Sequence, residues 1–257
     1  MGRAIAIFNQ KGGVGKTTTI INLAAALAEQ KKKVLIIDID PQANATSGLG
    51  IDQTLTTDSV YDVIIHESVP KDAVLHTEID NLDLLPSSMD LAGAEIELVF
   101  QERWEYRLQK AIQSLQEEYD YIFIDCPPSL GVLTINALVA VNSFIIPIQC
   151  EYYALEGVGH LMKTYKLIKK SMNPNLEIEG VILNMYDRRN NLSLQVKDEV
   201  VRYFKDRVFQ VVIPRNIRLA EAPSFGKSVI EYDSSSKGAR AYRNLGKEFL
   251  RRERRKA

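Results

Sequence analysis

The 257-residue sequence predicts an α/β fold: a doubly wound, mostly parallel twisted sheet of about seven to eight strands flanked by helices. Three observations carry this. Short apolar runs rich in Ile and Val recur along the chain, longer helical patterns separate them, and a glycine-rich turn joins the first run to the first helix.

The runs are "AIAIF" (4–8), "VLIID" (34–38), "LDLLP" (82–86), "YIFID" (121–125), "FIIPI" (144–148), "GVILN" (180–184) and "FQVVI" (209–213). They are too short for helices and apolar on both faces, as strands of a covered parallel sheet must be. Helical patterns span 15–30, 59–66, 91–100, 102–118, 132–140, 155–172, 192–205 and 239–252. Strand and helix in alternation imply right-handed crossovers, with ligands gathering at the carboxyl ends of the strands. No internal repeat and no hinge composition interrupt the chain, so residues 1–257 read as a single domain whose basic tail, "RRERRKA" from 251, is expected to fray.

Hydrophobic residues make up 46% and charged residues 25%, the balance of a soluble globular protein. No stretch is apolar enough to span a bilayer and no basic-then-apolar leader precedes the first strand, so a cytoplasmic location is expected. Ala6 stands where a myristoylation signal requires Ser or Thr. Cys126 and Cys150 each close a strand-like run and read as buried thiols in a reducing compartment. His66, His76 and His160 form no metal spacing with them. The net charge of -1 conceals a division: residues 186–257 hold 18 Lys and Arg against 9 Asp and Glu, whereas the rest holds 14 against 24. A basic C-terminal surface on an acidic body follows.

The chemistry begins at "NQKGGVGKTTT" (9–19), which contains G-x-x-x-x-G-K-[ST] between a strand and an amphipathic helix. Gly12, Gly13, Val14 and Gly15 let backbone N–H groups turn inward around phosphate oxygens, and the helix N-terminus adds its positive dipole end. Lys16 is expected to reach the β- and γ-phosphates, Thr17 to ligate Mg²⁺ through its hydroxyl, and Thr18 to contact the α-phosphate. Two further strands end in carboxylates. Asp125, at the tip of "YIFID", is the metal-side candidate; Asp40, before Pro41, can present a carboxylate to the attacking water; Asp38 is assigned to the metal's water shell.

"KGGVGKTTT", "DIDPQANATSGLG", "YIFIDCPPSLG" and "IPRNIRLAEAPSFGKSV", matching in order, resemble the ParA family of deviant Walker ATPases, and most closely its chromosomal Soj type. The resemblance covers residue 3 to about 250 and implies the fold of a deviant P-loop nucleoside triphosphatase with slow ATP hydrolysis. It implies a homodimer formed with ATP, ADP as product and Mg²⁺ as cofactor. Lys11 matches the signature lysine that reaches the partner copy's phosphates, Asp40 the residue that positions water, and Asp125 the Walker B acid. Pro214 and Asn216, with Asn184 and Met185, are implied at the adenine, and Glu151 at the nucleotide of the partner copy. The family further implies a nucleoid-associated dimer that binds double-stranded DNA without sequence preference and meets a ParB-like centromere-binding protein, which with DNA speeds hydrolysis in chromosome or plasmid segregation. Because the phosphate loop begins within a dozen residues, operator binding of the plasmid type is not expected.

Arg188, Arg189, Lys197, Arg202, Arg218, Arg243 and Lys247 are the candidate DNA contacts. No helix-turn-helix, zinc spacing or stacking platform accompanies them, so backbone charge would dominate. Rival readings are a MinD-like membrane ATPase, a carrier like the nitrogenase iron protein, and a small-molecule kinase. The first needs a lipid-facing helix in "AYRNLGKEFLRRERRKA", the second loop cysteines for an iron–sulfur cluster, and the third an acceptor motif; none of these stands out.

Overall fold

The computed structural model describes residues 2–151 and 154–256. Its seven strands are β1 (Arg3–Ile7), β2 (Val34–Asp38), β3 (Leu75–His76), β4 (Leu82–Leu85), β5 (Tyr121–Asp125), β6 (Ser143–Gln149) and β7 (Glu177–Asn184). They form one sheet in the order β3-β4-β2-β5-β1-β6-β7, parallel throughout except for the β3–β4 pair. The helices are α1 (Lys16–Ala28), α2 (Asn44–Gly48), α3 (Val60–Ile65), α4 (Leu91–Glu97), α5 (Arg107–Leu115), α6 (Val132–Ala140), α7 (Ala154–Ser171), α8 (Asn191–Phe204), α9 (Ile217–Glu221), α10 (Val229–Tyr232) and α11 (Lys237–Lys256).

Strand alternation sends neighbouring side chains to opposite faces, and each face builds its own core. Ala4, Ala6 and Phe8 join the side packed by α3 to α8, whereas Ile5 and Ile7 join the side packed by α1, α2 and α9 to α11. With both faces covered, the central strands are wholly buried, which is why they read as unbroken apolar runs.

The parallel register positions the chemistry. Ile7 pairs with Asp125, and Asp38 pairs with Asp125 from the other side, so β1, β5 and β2 end level with one another. The glycine-rich turn leaves β1 at that level.

Two expectations are corrected. Residues 209–213 are extended but add no strand: Phe209 N–H and Ile213 N–H donate to Val181 and Leu183 carbonyls on β7, while the intervening Gln210 and Val211 N–H groups are taken by the Glu248 carboxylate. Donors diverted to a side chain cannot continue a ladder. The helical patterns at 91–100 and 102–118 are each divided, with 3₁₀ turns at Leu98–Phe100 and Trp104–Tyr106; Arg103, at a φ of 53°, breaks the path between them. Helix α11 runs on through the basic tail to Lys256. Arg252 holds it by pairing with Glu248, donating to the Asp206 carbonyl at 3.1 Å and lying 4.2 Å over the Phe209 ring, and Glu253 pairs with Arg3.

The apolar face of α11 is spent on this fold. Tyr242, Leu245 and Phe249 are buried against α1 and the sheet, with the Phe249 ring 5.3 Å from that of Tyr121 and 6.1 Å from that of Phe123. The helix on which a MinD-like reading would depend therefore has its stripe in the core. Phe249→Ala is expected to lower the unfolding free energy by about 3–5 kcal/mol, measured by urea denaturation, because nothing nearby can refill an aromatic void.

Candidate nucleotide site

The turn that follows β1 is anchored at both ends. Phe8 N–H donates to the Ile145 carbonyl at 3.0 Å, and the Asn9 amide donates to the Pro147 carbonyl at 2.8 Å while its oxygen accepts Lys11 N–H at 3.1 Å. Gly13 and Gly15 take left-handed φ values of 73° and 86°, which L side chains rarely adopt. A Cβ at Gly15 would also lie 2.8 Å from the Asn184 amide nitrogen. Gly12 is different: its φ is not left-handed and a Cβ there would meet nothing within 4 Å, so nothing in this chain requires its bareness. The open space fits a group that approaches from outside.

Gly15 begins α1 without a side-chain cap, leaving the first-turn N–H groups facing the concavity of the loop. Lys16 is buried there with its ammonium 3.4 Å from the Lys11 carbonyl. Burial pulls that ammonium below the usual lysine range, opposed by the attraction of Asp125. The Lys11 side chain is half-buried, and its ammonium has no hydrogen-bond or ion-pair partner among the described residues.

Thr17 donates its hydroxyl to Asp125 Oδ2 at 2.7 Å. Asp125 is fully buried, and its other oxygen has no partner among the described residues. Burial first, and the neighbouring Asp38 second, push this carboxyl well above the usual range. A buried carboxylate oxygen left unpaired beside a threonine hydroxyl and a lysine fits a hydrated Mg²⁺, whose charge would reverse that penalty. The residues present therefore suit Mg²⁺ bound through phosphates, a hydroxyl and water rather than through a dedicated protein cage.

Asp38 lies beside Asp125 and is held by the turn that follows β2. Its Oδ1 accepts Asp40 N–H at 3.2 Å, and its Oδ2 accepts both the N–H and the hydroxyl of Thr46, each at 2.8 Å. Burial raises this carboxyl to about 6, against the pull of the Thr46 bonds. Three protein donors make it the anchor of the 40–46 turn. Asp40 is also buried, with Oδ1 accepting Gln42 N–H at 3.0 Å.

Beside the loop lies a cavity of about 390 Å³ lined by Gly15, Thr18, Asn184, Met185, Pro214 and Asn216, among others. The four residues implied at the adenine thus line one cavity, together with Tyr242, Ile213 and Leu219 among others. Ile213 and Leu219 lie within "IPRNIRLAEAPSFGKSV", whereas no local pattern marks Tyr242, which reaches the site from α11. The Asn184 amide donates to the Val14 carbonyl at 2.9 Å and to Thr19 Oγ1 at 3.0 Å, leaving a buried Oδ1 with no partner among the described residues. That oxygen is an acceptor of the kind an exocyclic amine requires. A larger cavity of about 1050 Å³ opens at the opposite end of the strands, between Arg3, Glu177 and Arg251, away from every loop residue named above.

The remaining candidates scatter. Glu151 pairs with Arg215 at 3.1 Å. Arg189 is held by Asp187, Arg218 by Glu221 and Asp233, and Arg243 by Glu29. Lys197 lies 5.6 Å from the Tyr186 ring. Arg188, Arg202 and Lys247 are exposed and make no ion pair among the described residues. Because α8 and α11 cover opposite faces of the sheet, these cations do not share one flat patch.

Neither cysteine suits cluster ligation. Both are buried and free, and burial pushes the Cys150 thiol to about 12 and the Cys126 thiol far above its ordinary value. No helix among the described residues is long and apolar enough to cross a membrane.

A strand, a glycine-rich turn and a helix, with a Thr–Asp pair at the mouth and a base-sized cavity alongside, define a P-loop nucleoside triphosphatase. Residues 2–178 match the family described as an AAA domain. The chain is 55% identical over 248 residues to the sporulation initiation inhibitor protein Soj of Bacillus subtilis (strain 168), covering 96% of this chain and 98% of the relative. It is 52% identical over 253 residues to the chromosome partitioning protein ParA of Myxococcus xanthus (strain DK1622), covering 98% and 89%. Among solved structures, cobyrinic acid a,c-diamide synthase from Mycobacterium smegmatis, with bound ADP and magnesium, superposes with a TM-score of 0.86 at 38% identity, covering 99% of this chain and 96% of that one. The chain belongs to the ParA/Soj family of deviant Walker A partitioning ATPases, with ATP and Mg²⁺ as its cofactors.

Asp125→Asn keeps the shape but removes the charge. In a fluorescent-ATP titration it is expected to lose at least about tenfold of the magnesium-dependent affinity and to bind as wild type does in EDTA.

Proposed function

We propose that this partitioning ATPase is an assembly switch: a monomer when empty or bound to ADP, a homodimer when ATP is bound, and a DNA-bound species only as that dimer. The observation that carries the reading is the unpartnered Lys11 ammonium at the rim of a loop whose own phosphate lysine, Lys16, is already turned inward. A cation given in trans would couple phosphate charge in one copy to the presence of the other, as an arginine finger does. The bareness of Gly12 is consistent with a partner passing close to the loop.

In this reading Lys16 and the first turn of α1 hold the β- and γ-phosphates, and Thr18 the α-phosphate. Thr17 and Asp125 hold hydrated Mg²⁺, which offsets charge on the phosphates. Asn184 Oδ1 accepts from the adenine amine, Met185 and Pro214 flank the base, and Asn216 lies at its edge. Asp40 orients the attacking water. Glu151, now paired with Arg215, exchanges that partner for the second copy's nucleotide.

Double-stranded DNA is bound without sequence preference by surface cations, led by Arg188, Arg202 and Lys247; Arg189, Arg218 and Arg243 contribute only by sharing or releasing an acid. Two such sets joined in a dimer gain avidity that one lacks. A ParB-like partner, with DNA, accelerates an otherwise slow hydrolysis, and the protein works on the nucleoid in the cytoplasm, as a single domain.

Sedimentation and DNA binding measured with ATP, ADP and no nucleotide test the switch. Lys11→Ala is expected to stay monomeric with ATP, and Asp40→Ala to dimerise and hold DNA without turning over; DNA binding that ignores the nucleotide would refute the scheme. Wild-type DNA affinity is expected to fall at least about tenfold between about 50 and about 200 mM salt, because released counterions set the slope. Arg188→Ala should reduce that slope while leaving ATP affinity unchanged in the same titrations.

A further inference from the structure

The turn that carries Asp40 is held by a closed ring of hydrogen bonds among fully buried groups. Asp40 N–H donates to Asp38 at 3.2 Å, on one side of the residue; on the other, the Asp40 carbonyl accepts the Ser87 hydroxyl at 2.6 Å. Thr46 closes the ring. Its single hydroxyl proton goes to Asp38 at 2.8 Å, so its oxygen is left to accept Ser87 N–H at 3.0 Å. Asp38, Thr46 and Ser87 all have 0% exposure, and they come from three places in the chain: the tip of β2, helix α2 and the segment beyond β4.

We propose that Thr46 and Ser87 are positioning residues for hydrolysis, fixing the main chain of Asp40 on both sides so that its carboxylate keeps the angle at which it orients water. The inference rests on the reading of Asp40 given above. Several features favour this role over a merely stabilising one. Both bonds to Asp40 are to its backbone, leaving its carboxylate free of the ring. Ala43, three residues on, sits at a left-handed φ of 47°, so the turn is sharp and needs external support. The ring includes no residue of the phosphate loop or the base cavity, and Asp38 keeps two backbone donors if the Thr46 hydroxyl is lost. Its removal should therefore leave nucleotide binding in place and disturb only the step that needs Asp40.

The requirement at position 46 is specific. The side chain must donate and accept at once, which serine does and valine, of the same shape as threonine, does not. Steady-state hydrolysis, fluorescent-ATP affinity and ATP-dependent sedimentation are compared for wild type, Thr46→Val, Thr46→Ser, Ser87→Ala and Asp40→Ala. Thr46→Val and Ser87→Ala are expected to lose about tenfold to a hundredfold in kcat, the effect of a misplacement on the ångström scale. Their ATP affinity and assembly should stay within about threefold of wild type, and Thr46→Ser should recover turnover to within about threefold. If Thr46→Val fails to fold, Ser87→Ala, which deletes one bond and no methyl, carries the test.

Wild-type turnover in both Thr46→Val and Ser87→Ala, with Asp40→Ala inactive, would overturn the inference and leave the Asp40 reading standing. A loss of ATP affinity as large as the loss of turnover, or no recovery in Thr46→Ser, would mark the ring as support for the fold alone and overturn it too. Normal turnover by Asp40→Ala would remove the Asp40 reading, and this inference with it.

Discussion

Two carboxylates that the parallel register sets side by side in the dry end of a sheet constrain everything around them. Asp38 and Asp125 are register partners at the tips of β2 and β5, and neither reaches water. Like charges in such a place must be neutralised, hydrogen-bonded or kept protonated. The chain answers differently for each. Asp38 takes three protein donors and becomes part of the scaffold. Asp125 takes one, from Thr17, and keeps an oxygen with no partner among the described residues. The nearby Lys16 ammonium offsets part of its charge from inside the loop.

This division explains why the surrounding architecture is rigid. The loop at 9–15 is tied to β6 through Asn9, the 40–46 turn is tied to Asp38, and Asn184 links the end of β7 to both Val14 and Thr19. Each tie uses a side chain to satisfy a buried backbone or hydroxyl group that the sheet ladder cannot reach. Strand ends supply the charges, and the connections between strands supply the donors and acceptors that make those charges tolerable.

Much of this was legible in the sequence because its signals are local. A glycine pattern between an Ile-rich run and an amphipathic helix identifies the phosphate loop, and acids closing "VLIID" and "YIFID" mark the sheet's active end. The four residues named for the base do line one cavity. What escaped the sequence is what depends on distant residues meeting. Thr46 and Ser87 are 41 positions apart and acquire their roles only through Asp38 and Asp40. Glu248 withdraws two N–H groups from 210–211 and so removes a strand that periodicity alone would draw. Charge counting places Arg243 and Arg189 in a basic surface, yet each faces a carboxylate that the count could not locate.

The docking of α11 along α1 bears on how movement can be transmitted. The first turn of α1 leaves the phosphate loop and meets Tyr242 through Thr19, at 3.4 Å between hydroxyl oxygens, and the far end of the helix offers Glu29 to Arg243. The two helices thus act as one splint running along the sheet from the phosphate loop, with the Phe249 ring of α11 packed on Tyr121 and Phe123 of β5 beneath them. A splint does not bend to carry a message. A change at the nucleotide that is relayed along this pair would therefore reach the Glu29–Arg243 end as a displacement of both helices together.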